Sequence, residues 1–323
     1  MFILGSGEFV PARIVDNAYF SQATGRPADW FVQRTGIQER RRAVGDEDLH
    51  SMSIAAVESL LTREDLSLQG VDLVVAASYT PIDTIGTLAH VLQRHFGLSG
   101  ARAIYLSTAC SSFMDAVDLT AAYFQSGRAR KALIVAAEHN SAFARDEDER
   151  SGHLWGDGAA AVLLSKDAQG AEFEVIDVRT RGLAECGQGP LAISLNPRAG
   201  ELVMPYGKEV FARACQEIAA ASREVLAANG LGVEDVRLFI PHQANKRIID
   251  HVAGSLKLPP ERVAVTIDEL GNTGCASVAI TLHRFGGKVA PGEYVVLATF
   301  GGGYSVGAAL LRRLGADRPS SGS

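Results

Sequence analysis

The chain has 323 residues, of which 47% are hydrophobic and 21% are charged, a globular composition that excludes a disordered, collagen-like or coiled-coil chain. The formal net charge of −6 excludes an overall positive field that would hold nucleic acid or an anionic membrane. The longest apolar runs fall far short of the ~20 residues that span a bilayer, so the composition predicts a soluble protein.

The start of the chain and its cysteines both predict an intracellular protein rather than a secreted one. Residues 1–4 are apolar with no basic leader, which predicts a first strand instead of a signal peptide, and a cytoplasmic location. The four cysteines, Cys110, Cys186, Cys215 and Cys275, include no Cys-x-x-Cys pair, which argues against a zinc site and against a disulfide framework. A cysteine that matters for function is therefore expected to act as a thiol.

Short β-branched and aliphatic runs alternate with longer amphipathic stretches, a pattern that predicts βαβ units with mostly parallel sheets. The predicted strands, in chain order, are Asp72–Ala77, Ala103–Leu106, Ala132–Ala137, Ala160–Ser165, Glu174–Val178, Val236–Ile240, Arg262–Val265, Tyr294–Thr299 and Ala308–Leu311. One helix is predicted after Cys110, where apolar residues recur at helical spacing from Phe113 to Phe124, and another from about Val210 to Asn229.

Three segments recur in the same order in the two halves of the chain. The pairs are 65–78 with 230–243, 107–112 with 271–277, and 132–138 plus 156–164 with 294–311. Any one similarity could arise by chance between α/β segments, but the common order favours a duplication. We therefore predict two related α/β halves, 1–170 and 171–313, that share one packed interface, and a flexible tail at 314–323.

Cys110 follows a predicted buried strand and begins the predicted helix, with small neighbours that leave room for a substrate carbonyl. Free N–H groups and the positive end of a helix dipole lower the pKa of a cysteine from about 8.5, so this position suits a nucleophile. A small cysteine packed in a core is the alternative. The segment by itself leaves both interpretations open.

Three further candidates follow predicted strands or open a predicted helix. His242 comes directly after a strand, where α/β proteins place ligands; a lone histidine there is usually structural, but a cysteine nucleophile needs a partner from elsewhere in the chain. Asn272 opens the duplicate of the Cys110 segment, where helix capping is the alternative role. Residues 301–303 are three glycines that could furnish an oxyanion hole or form a tight turn, and they lack the spacing of a phosphate fingerprint.

Six segments in order resemble the β-ketoacyl-acyl-carrier-protein synthase III family of thiolase-like condensing enzymes, from residue 1 to about 313. They are Asp29–Ile37, Thr108–Cys110, Gly156–Ala159, Pro241–Asn245, Gly271–Thr273 and Phe300–Gly303. The resemblance implies an α/β thiolase-like fold, in which two duplicated halves form a five-layered αβαβα arrangement. It also implies a homodimer with no permanently bound cofactor, and acyl-coenzyme A as a substrate.

The resemblance further implies a decarboxylative Claisen condensation. Cys110 would be acylated by acyl-coenzyme A, and His242 and Asn272 would stabilise the enolate formed when a malonyl thioester loses carbon dioxide. Both are hydrogen-bond donors to one developing oxyanion, which a carboxylate would repel. The backbone N–H groups of Cys110 and Gly302 would hold the acyl carbonyl oxygen. The malonyl carrier, coenzyme A or an acyl carrier protein, is left open.

The substrate tunnel of the family is matched by position. Trp30 and Arg34 correspond to contacts on the adenine side of coenzyme A, with packing and surface ion pairing as the alternatives. Ile85, in an apolar loop segment, is expected to wall the acyl pocket across a homodimer interface. The other positions expected to line the tunnel are Arg150, Gly207, Lys208, Asn245 and Arg247.

The chain departs from the family pattern in two places. Ser111 and Ser112 follow the nucleophile, where the family commonly has glycine and a small residue. The helix after His242 begins with Lys246 and Arg247 but lacks the later basic pair expected for a strong dock to an acidic carrier. These changes favour a specialised-metabolism relative, of the polyketide type, over housekeeping fatty-acid initiation.

Two alternatives to condensation share the same fold. An acyltransferase would load Cys110 and pass the acyl group to an alcohol, amine or carrier thiol without decarboxylation. A non-catalytic partner subunit would do neither. The complete Cys-His-Asn set argues against the partner subunit, and it favours condensation because a simple transferase needs no enolate-stabilising amide.

Overall fold

The computed structural model describes residues 1–196 and 200–315, so the predicted flexible tail lies, from residue 316 onward, outside the described residues. The strands are β1 Phe2–Phe9, β2 Ile14–Asp16, β3 Glu39–Arg41, β4 Leu73–Ala77, β5 Arg102–Leu106, β6 Lys131–Glu138, β7 Gly158–Ser165, β8 Phe173–Gly182, β9 Ser194–Asn196, β10 Glu201–Val203, β11 Val236–Pro241, β12 Tyr294–Gly301 and β13 Ser305–Arg313. The helices are α1 Asn17–Thr24, α2 Ala28–Thr35, α3 Leu49–Leu61, α4 Leu88–His95, α5 Ser112–Gln125, α6 Gly207–Ala228, α7 Lys246–Leu256, α8 Ile267–Leu270 and α9 Ser277–Phe285. Across the described ranges, no helix has both the length and the apolar character needed to cross a membrane.

A mixed nine-stranded sheet runs through the molecule in the order β11-β12-β13-β8-β1-β7-β6-β4-β5. The pairs β11–β12, β4–β5 and β4–β6 are parallel, and the other five are antiparallel. The prediction of mostly parallel sheets is therefore wrong. Strand direction depends on the connection: β12 and β13 are joined by a three-residue turn, which makes neighbouring strands antiparallel.

The sheet folds around a central pair of helices, α5 and α9, and so forms two β layers, one on each side of them. Further helices cover the outer face of each β layer, which gives five layers. The buried faces of α5 and α9 pack together with strand residues from both halves of the chain, including Val75, Ile134 and Leu297. Helices α3 and α4 cover the outer face of the N-terminal strands, and α6 and α7 cover the outer face of the C-terminal strands. This confirms the predicted αβαβα arrangement, with Cys110 and Asn272 both just ahead of the central layer.

The strand succession is similar in the two parts of the chain, β4-β6-β7-β1 in one and β11-β12-β13-β8 in the other. The predicted strand Arg262–Val265 is wrong, because Val263 makes a single bridge to Phe239 and Pro260–Arg262 form a 3-10 turn. Two consecutive prolines just before this segment fix the backbone of that turn, which takes up Arg262, the first residue of the predicted strand. The boundary near residue 170, in the connection from β7 to β8, stays a prediction.

Candidate active site

Cys110 lies in a tight turn between β5 and α5. Ala109 takes a left-handed φ of 52°, a conformation that is uncommon and strained for a residue with a β-carbon. The Ser112 hydroxyl donates to the Ala109 carbonyl at 2.6 Å and accepts the Thr108 N–H at 2.9 Å. The Ser111 hydroxyl donates to a β13 carbonyl at 3.0 Å. The two serines that depart from the family pattern therefore hold the nucleophile turn in place.

The glycine segment after β12 packs directly against this turn. A Cβ atom added at Gly301 would lie 2.7 Å from the Thr108 carbonyl oxygen and 2.9 Å from the Ser111 nitrogen, so the close approach requires glycine. Gly302 packs against the same turn, since a Cβ added there would lie 3.5 Å from Ala109 Cβ. Its backbone N–H acts to lower the pKa of Cys110. The structure thus places Gly302 beside Cys110, where the sequence predicts an oxyanion hole.

Cys110 is only 6% exposed. Burial, followed by the negative charge of Glu138, raises the pKa of Cys110 to about 12. The N–H groups of Gly302 and Cys110 and the hydroxyl of Tyr79 oppose this rise without cancelling it. The expected lowering of the pKa at the helix start is therefore wrong, because desolvation in a closed site outweighs the backbone N–H groups that favour the thiolate. At neutral pH Cys110 is a thiol.

We expect the alkylation of Cys110 by iodoacetamide to accelerate steadily between pH 7 and pH 9. Below the pKa of a thiol, the thiolate fraction grows about tenfold per pH unit, whereas free cysteine, with a pKa of about 8.5, begins to level off in this range. Peptide mass spectrometry at each pH gives the rate for Cys110, with free cysteine as the reference. A rate for Cys110 that levels off together with that of free cysteine, or at lower pH, would show that the pKa is not raised.

His242 directly follows β11 and is buried, and burial lowers its pKa to about 4, so the ring is neutral. Its Nδ1 shares a 2.7 Å hydrogen bond with the hydroxyl of Ser277, the first residue of α9. That hydroxyl also accepts the Gln243 N–H at 3.3 Å and, among the described residues, has no acceptor for its own proton other than Nδ1. We therefore assign the ring proton to Nε2. His242 is therefore arranged as a neutral hydrogen-bond donor.

Asn272 is pinned through its backbone to the segment that precedes β7. Its N–H bonds to the Leu154 carbonyl at 2.8 Å, and its own carbonyl accepts the Gly156 N–H at 3.1 Å. The side-chain Oδ1 accepts the Gly274 N–H at 3.0 Å. Within the described part of the chain, Nδ2 has no hydrogen-bond partner. The side chain of Asn272 therefore accepts the capping hydrogen bond through Oδ1 and keeps Nδ2 for a separate donor role.

Substituting Gly156 by alanine is expected to destabilise the protein by about 1–3 kcal/mol, the usual effect of overpacking. The added Cβ would collide with the Leu270 carbonyl oxygen, just before the Asn272 turn. Gly254→Ala is the matched control, because that position lies in α7 with nothing within 4 Å and alanine favours helix by about 1 kcal/mol. Urea unfolding midpoints compare the two, and equal midpoints would contradict the close approach.

Three side chains that the sequence interpretation missed lie in the same site: Tyr79, Glu138 and Asn140. The fully buried Glu138 accepts hydrogen bonds from the Thr80 hydroxyl at 2.6 Å and the Tyr79 N–H at 3.2 Å, and burial raises its pKa to about 8. Asn140 accepts the Tyr79 hydroxyl at 2.8 Å and donates to the Asn272 carbonyl at 3.2 Å. The sequence contained a signal for two of these residues, because Glu138 and Asn140 come at the end of a predicted buried strand, as His242 does.

Four of the predicted coenzyme A positions come together where α2 ends and α7 begins. The Arg34 guanidinium lies 4.5 Å from the centroid of the Trp30 ring, and Arg26 lies 5.6 Å from the same centroid. The Asn245 side chain donates to the Arg34 carbonyl at 3.2 Å and caps α7 through the Arg247 N–H. The result is an exposed cationic edge around a half-buried tryptophan.

The remaining predicted positions lie on separate elements. Arg150 lines a surface cavity of about 560 Å³ together with Leu202, and Gly207 and Lys208 begin α6. Ile85 is 87% exposed in the loop before α4, so it does not wall the pocket of its own chain. In the described ranges, no group of three or more His, Cys, Asp or Glu side chains is placed to hold a metal ion.

Known proteins resemble this chain over nearly its whole length. Family models described as 3-oxoacyl-[acyl-carrier-protein (ACP)] synthase III and as its C-terminal part match residues 105–182 and 226–313. The β-ketoacyl-[acyl-carrier-protein] synthase III of Rhodospirillum centenum is 35% identical over 320 residues, which cover 96% of this chain and 98% of that protein. The corresponding synthase of Sodalis glossinidius is 36% identical over 315 residues, with the same coverage.

Solved structures give the same result. The β-ketoacyl-[acyl carrier protein] synthase III of Thermus thermophilus is 36% identical and covers 98% of this chain and 100% of its own, with a TM-score of 0.90. The priming β-ketosynthase from the R1128 polyketide biosynthetic pathway is 32% identical and covers 97% of this chain and 96% of its own, with a TM-score of 0.86.

Proposed function

The chain belongs to the β-ketoacyl-acyl-carrier-protein synthase III family, condensing enzymes of the thiolase-like fold, and from this we propose that Cys110 takes an acyl group from acyl-coenzyme A before a malonyl thioester condenses with it. The sequence-based identification of family and fold is confirmed. The proposed residue roles are supported by one observation above others: Asn272 and His242 each keep a hydrogen-bond donor available, and Gly302 packs against the turn that holds Cys110.

In the proposed first step, the Cys110 sulfur attacks the thioester carbonyl carbon of acyl-coenzyme A. The N–H groups of Cys110 and Gly302 hold the carbonyl oxygen as negative charge develops on it. The bond to the coenzyme A sulfur then breaks, and coenzyme A leaves as a thiol with the proton that Cys110 gives up. Since one S–H replaces another, the step takes up no net proton.

In the proposed second step, the malonyl thioester loses carbon dioxide and its thioester becomes an enolate. The enolate oxygen accepts hydrogen bonds from His242 Nε2 and Asn272 Nδ2. Both donors are uncharged and preorganised, which suits a developing oxyanion in a site closed to water. The enolate carbon attacks the acyl carbonyl on Cys110 and the carbon–sulfur bond breaks, so that Cys110 leaves as a thiolate and takes up one proton from solvent. The β-ketoacyl thioester is then released.

We assign coenzyme A, as a substrate and not as a resident cofactor, to the cationic edge around Trp30. A guanidinium stacks well on aromatic faces and pairs well with phosphates. Among the described residues Arg34 forms no ion pair, so the alternative role of Arg34 as a surface ion-pair residue is not supported. Arg26, by contrast, forms an ion pair with Glu149. Lys208 and Arg247 add exposed cationic side chains at the starts of α6 and α7.

The surface of α7 supports a specialised-metabolism role with a weak carrier dock. Lys246 forms an ion pair with Asp250 one turn later, so one of the two basic residues at the start of this helix is already neutralised. Arg247 would then be the main basic residue that an acidic acyl carrier protein contacts at the start of α7. An assay of the condensation therefore needs both malonyl-coenzyme A and malonyl-carrier protein as candidate malonyl donors.

We also propose a homodimer. Strand β5 is at the edge of the sheet, and all five of its residues are at least partly exposed, including Ile104 and Leu106. A second copy of the chain would cover this apolar edge, which a stable monomer rarely leaves open. Sedimentation at micromolar concentration should show twice the 34.2 kDa chain mass, and a monomer alone would contradict the proposal.

The proposed condensation is tested by following three quantities in one reaction of the wild-type protein. The substrates are an acyl-coenzyme A and a malonyl thioester labelled at the free carboxylate. Acyl-enzyme, released carbon dioxide and β-ketoacyl product should appear, with carbon dioxide equal to product. Product formed without release of carbon dioxide would refute condensation and favour the acyltransferase alternative. If no acyl-coenzyme A gives an acyl-enzyme, loading at Cys110 is refuted.

A further inference from the structure

Two strained turns pack against each other at the nucleophile. The nucleophile turn, residues 107–111, contains Ala109 with a φ of 52°, and the glycine turn, residues 302–304, contains Tyr304 with a φ of 61°. A left-handed backbone is unfavourable for a residue that carries a Cβ atom, so it persists only where surrounding contacts hold it. Both turns therefore depend on contacts that keep them in place.

Two serines exchange hydrogen bonds between these turns. The hydroxyl of Ser305, the first residue of β13, donates to the Thr108 carbonyl at 3.0 Å. In the opposite direction, the Ser111 hydroxyl donates to the Ser305 carbonyl at 3.0 Å. Ser111 is buried and Ser305 is half-buried, so water competes little for either bond. We call this pair of hydrogen bonds, made by Ser111 and Ser305, the serine latch.

The serine latch lies where the two predicted oxyanion donors come together. A Cβ atom added at Gly301 would lie 3.0 Å from Ser305 Oγ. One added at Gly302 would lie 3.5 Å from Ala109 Cβ, and Cys110 is the next residue in the chain. The turns are thus in direct contact, and a shift of one against the other would change the spacing of the two backbone N–H groups. The serine latch resists that shift.

The glycine turn is also anchored on its other side, without the serines. Tyr304 is buried, and its hydroxyl donates to Glu209, in the first turn of α6, at 3.0 Å. The Tyr304 carbonyl accepts the Leu183 N–H at 2.7 Å. Because these bonds hold the glycine turn independently, we expect the loss of one serine hydroxyl to alter the spacing of the turns without unfolding them.

We propose that the serine latch positions the oxyanion hole, by setting the spacing between the backbone N–H groups of Cys110 and Gly302. Ser111 and Ser305 are then positioning residues, which act through the backbone and not by contact with the substrate. The inference rests on the proposed acylation of Cys110 and adds these two residues to it. Donors stabilise a developing oxyanion only at hydrogen-bond distance, and a misplacement of about 1 Å can lower a rate on the order of 100-fold.

The test compares two reactions of the Cys110 sulfur. Acylation by a thioester forms an oxyanion, whereas alkylation by iodoacetamide displaces iodide at a saturated carbon and forms none. Acylation is followed by intact-mass spectrometry, with whichever of acetyl-, butyryl- and hexanoyl-coenzyme A loads wild type fastest. Ser305→Ala and Ser111→Ala should each lower the maximal acylation rate by about tenfold or more, with little change in the half-saturating concentration. Alkylation at fixed pH should change much less.

Two further variants are the matched controls. Ser305→Thr keeps a hydroxyl at the start of a strand, where threonine is favoured, and should keep most of the acylation rate. Ser222→Ala removes another buried serine hydroxyl, one that donates to the Ile218 carbonyl within α6 at 2.8 Å. This variant should match wild type in both reactions.

Each outcome decides the inference. Unchanged acylation in either Ala variant, or equal losses of acylation and alkylation, would overturn the positioning role while leaving acylation of Cys110 intact. A Ser305→Thr variant as slow as Ser305→Ala would overturn the role of the hydroxyl. Wild type that forms no acyl-enzyme would overturn both the inference and the proposed function. If one Ala variant shows no native circular dichroism, the other decides.

Discussion

Cys110→Ala is expected to give no mass increase with acetyl-coenzyme A, under conditions in which the wild-type chain gains one acetyl group. Cys275 is a poor substitute, because it is buried and its S–H donates to the Ala77 carbonyl at 3.2 Å. Overall condensation should fall by on the order of 10⁴ or more, as when other covalent nucleophiles are removed. Intact-mass and peptide mass spectrometry check both statements.

Cys275→Ser is the matched control for this experiment. It removes a second buried thiol from the same neighbourhood, since both Cys110 and Cys275 interact with Glu138. This variant should still be acylated at Cys110. An adduct on Cys186, Cys215 or Cys275, or one that persists in Cys110→Ala, would refute the assignment of the nucleophile.

Asn272→Asp is expected to lower the rate of malonyl decarboxylation by about 10²–10³ or more, while acylation of Cys110 changes much less. Losing one donor to an oxyanion typically has an effect of this size, and the added carboxylate repels the enolate as well. Aspartate keeps an oxygen that can accept the Gly274 N–H, which is the capping bond of Asn272 Oδ1. The substitution therefore separates the Nδ2 donor from the structural role of the same residue.

The measurement follows carbon dioxide from labelled malonyl thioester in parallel with acyl-enzyme formation. Asn272→Ala serves as the comparison, because it loses both the donor and the capping oxygen and should be less stable than Asn272→Asp. His242→Ala should likewise lose decarboxylation more than acylation. Equal losses in the two steps for Asn272→Asp would mean that Asn272 acts through structure alone and not on the enolate.

Local patterns in the sequence were sufficient for most of the fold. Eight of the nine predicted strands coincide with observed strands, because a run of buried aliphatic residues is recognisable without knowing its neighbours. The two failures have non-local causes. Strand direction depends on how β6 and β12 connect to the next strand. The predicted strand at Arg262–Val265 is limited to one bridge to β11, because Arg262 belongs to the 3-10 turn that begins at Pro260.

The sequence by itself determined the family, the α/β layers and the positions of Cys110, His242 and Asn272 at strand ends or helix starts, because those features are carried by residues adjacent in the chain. Only the tertiary structure decided the chemistry around them. The pKa of Cys110 is raised because remote segments exclude water and place Glu138 nearby. The available donor of Asn272 and the fixed ring of Tyr79 depend on hydrogen bonds to Gly274 and Asn140. Desolvation and contacts of this kind join residues far apart in sequence, so no local pattern contains them.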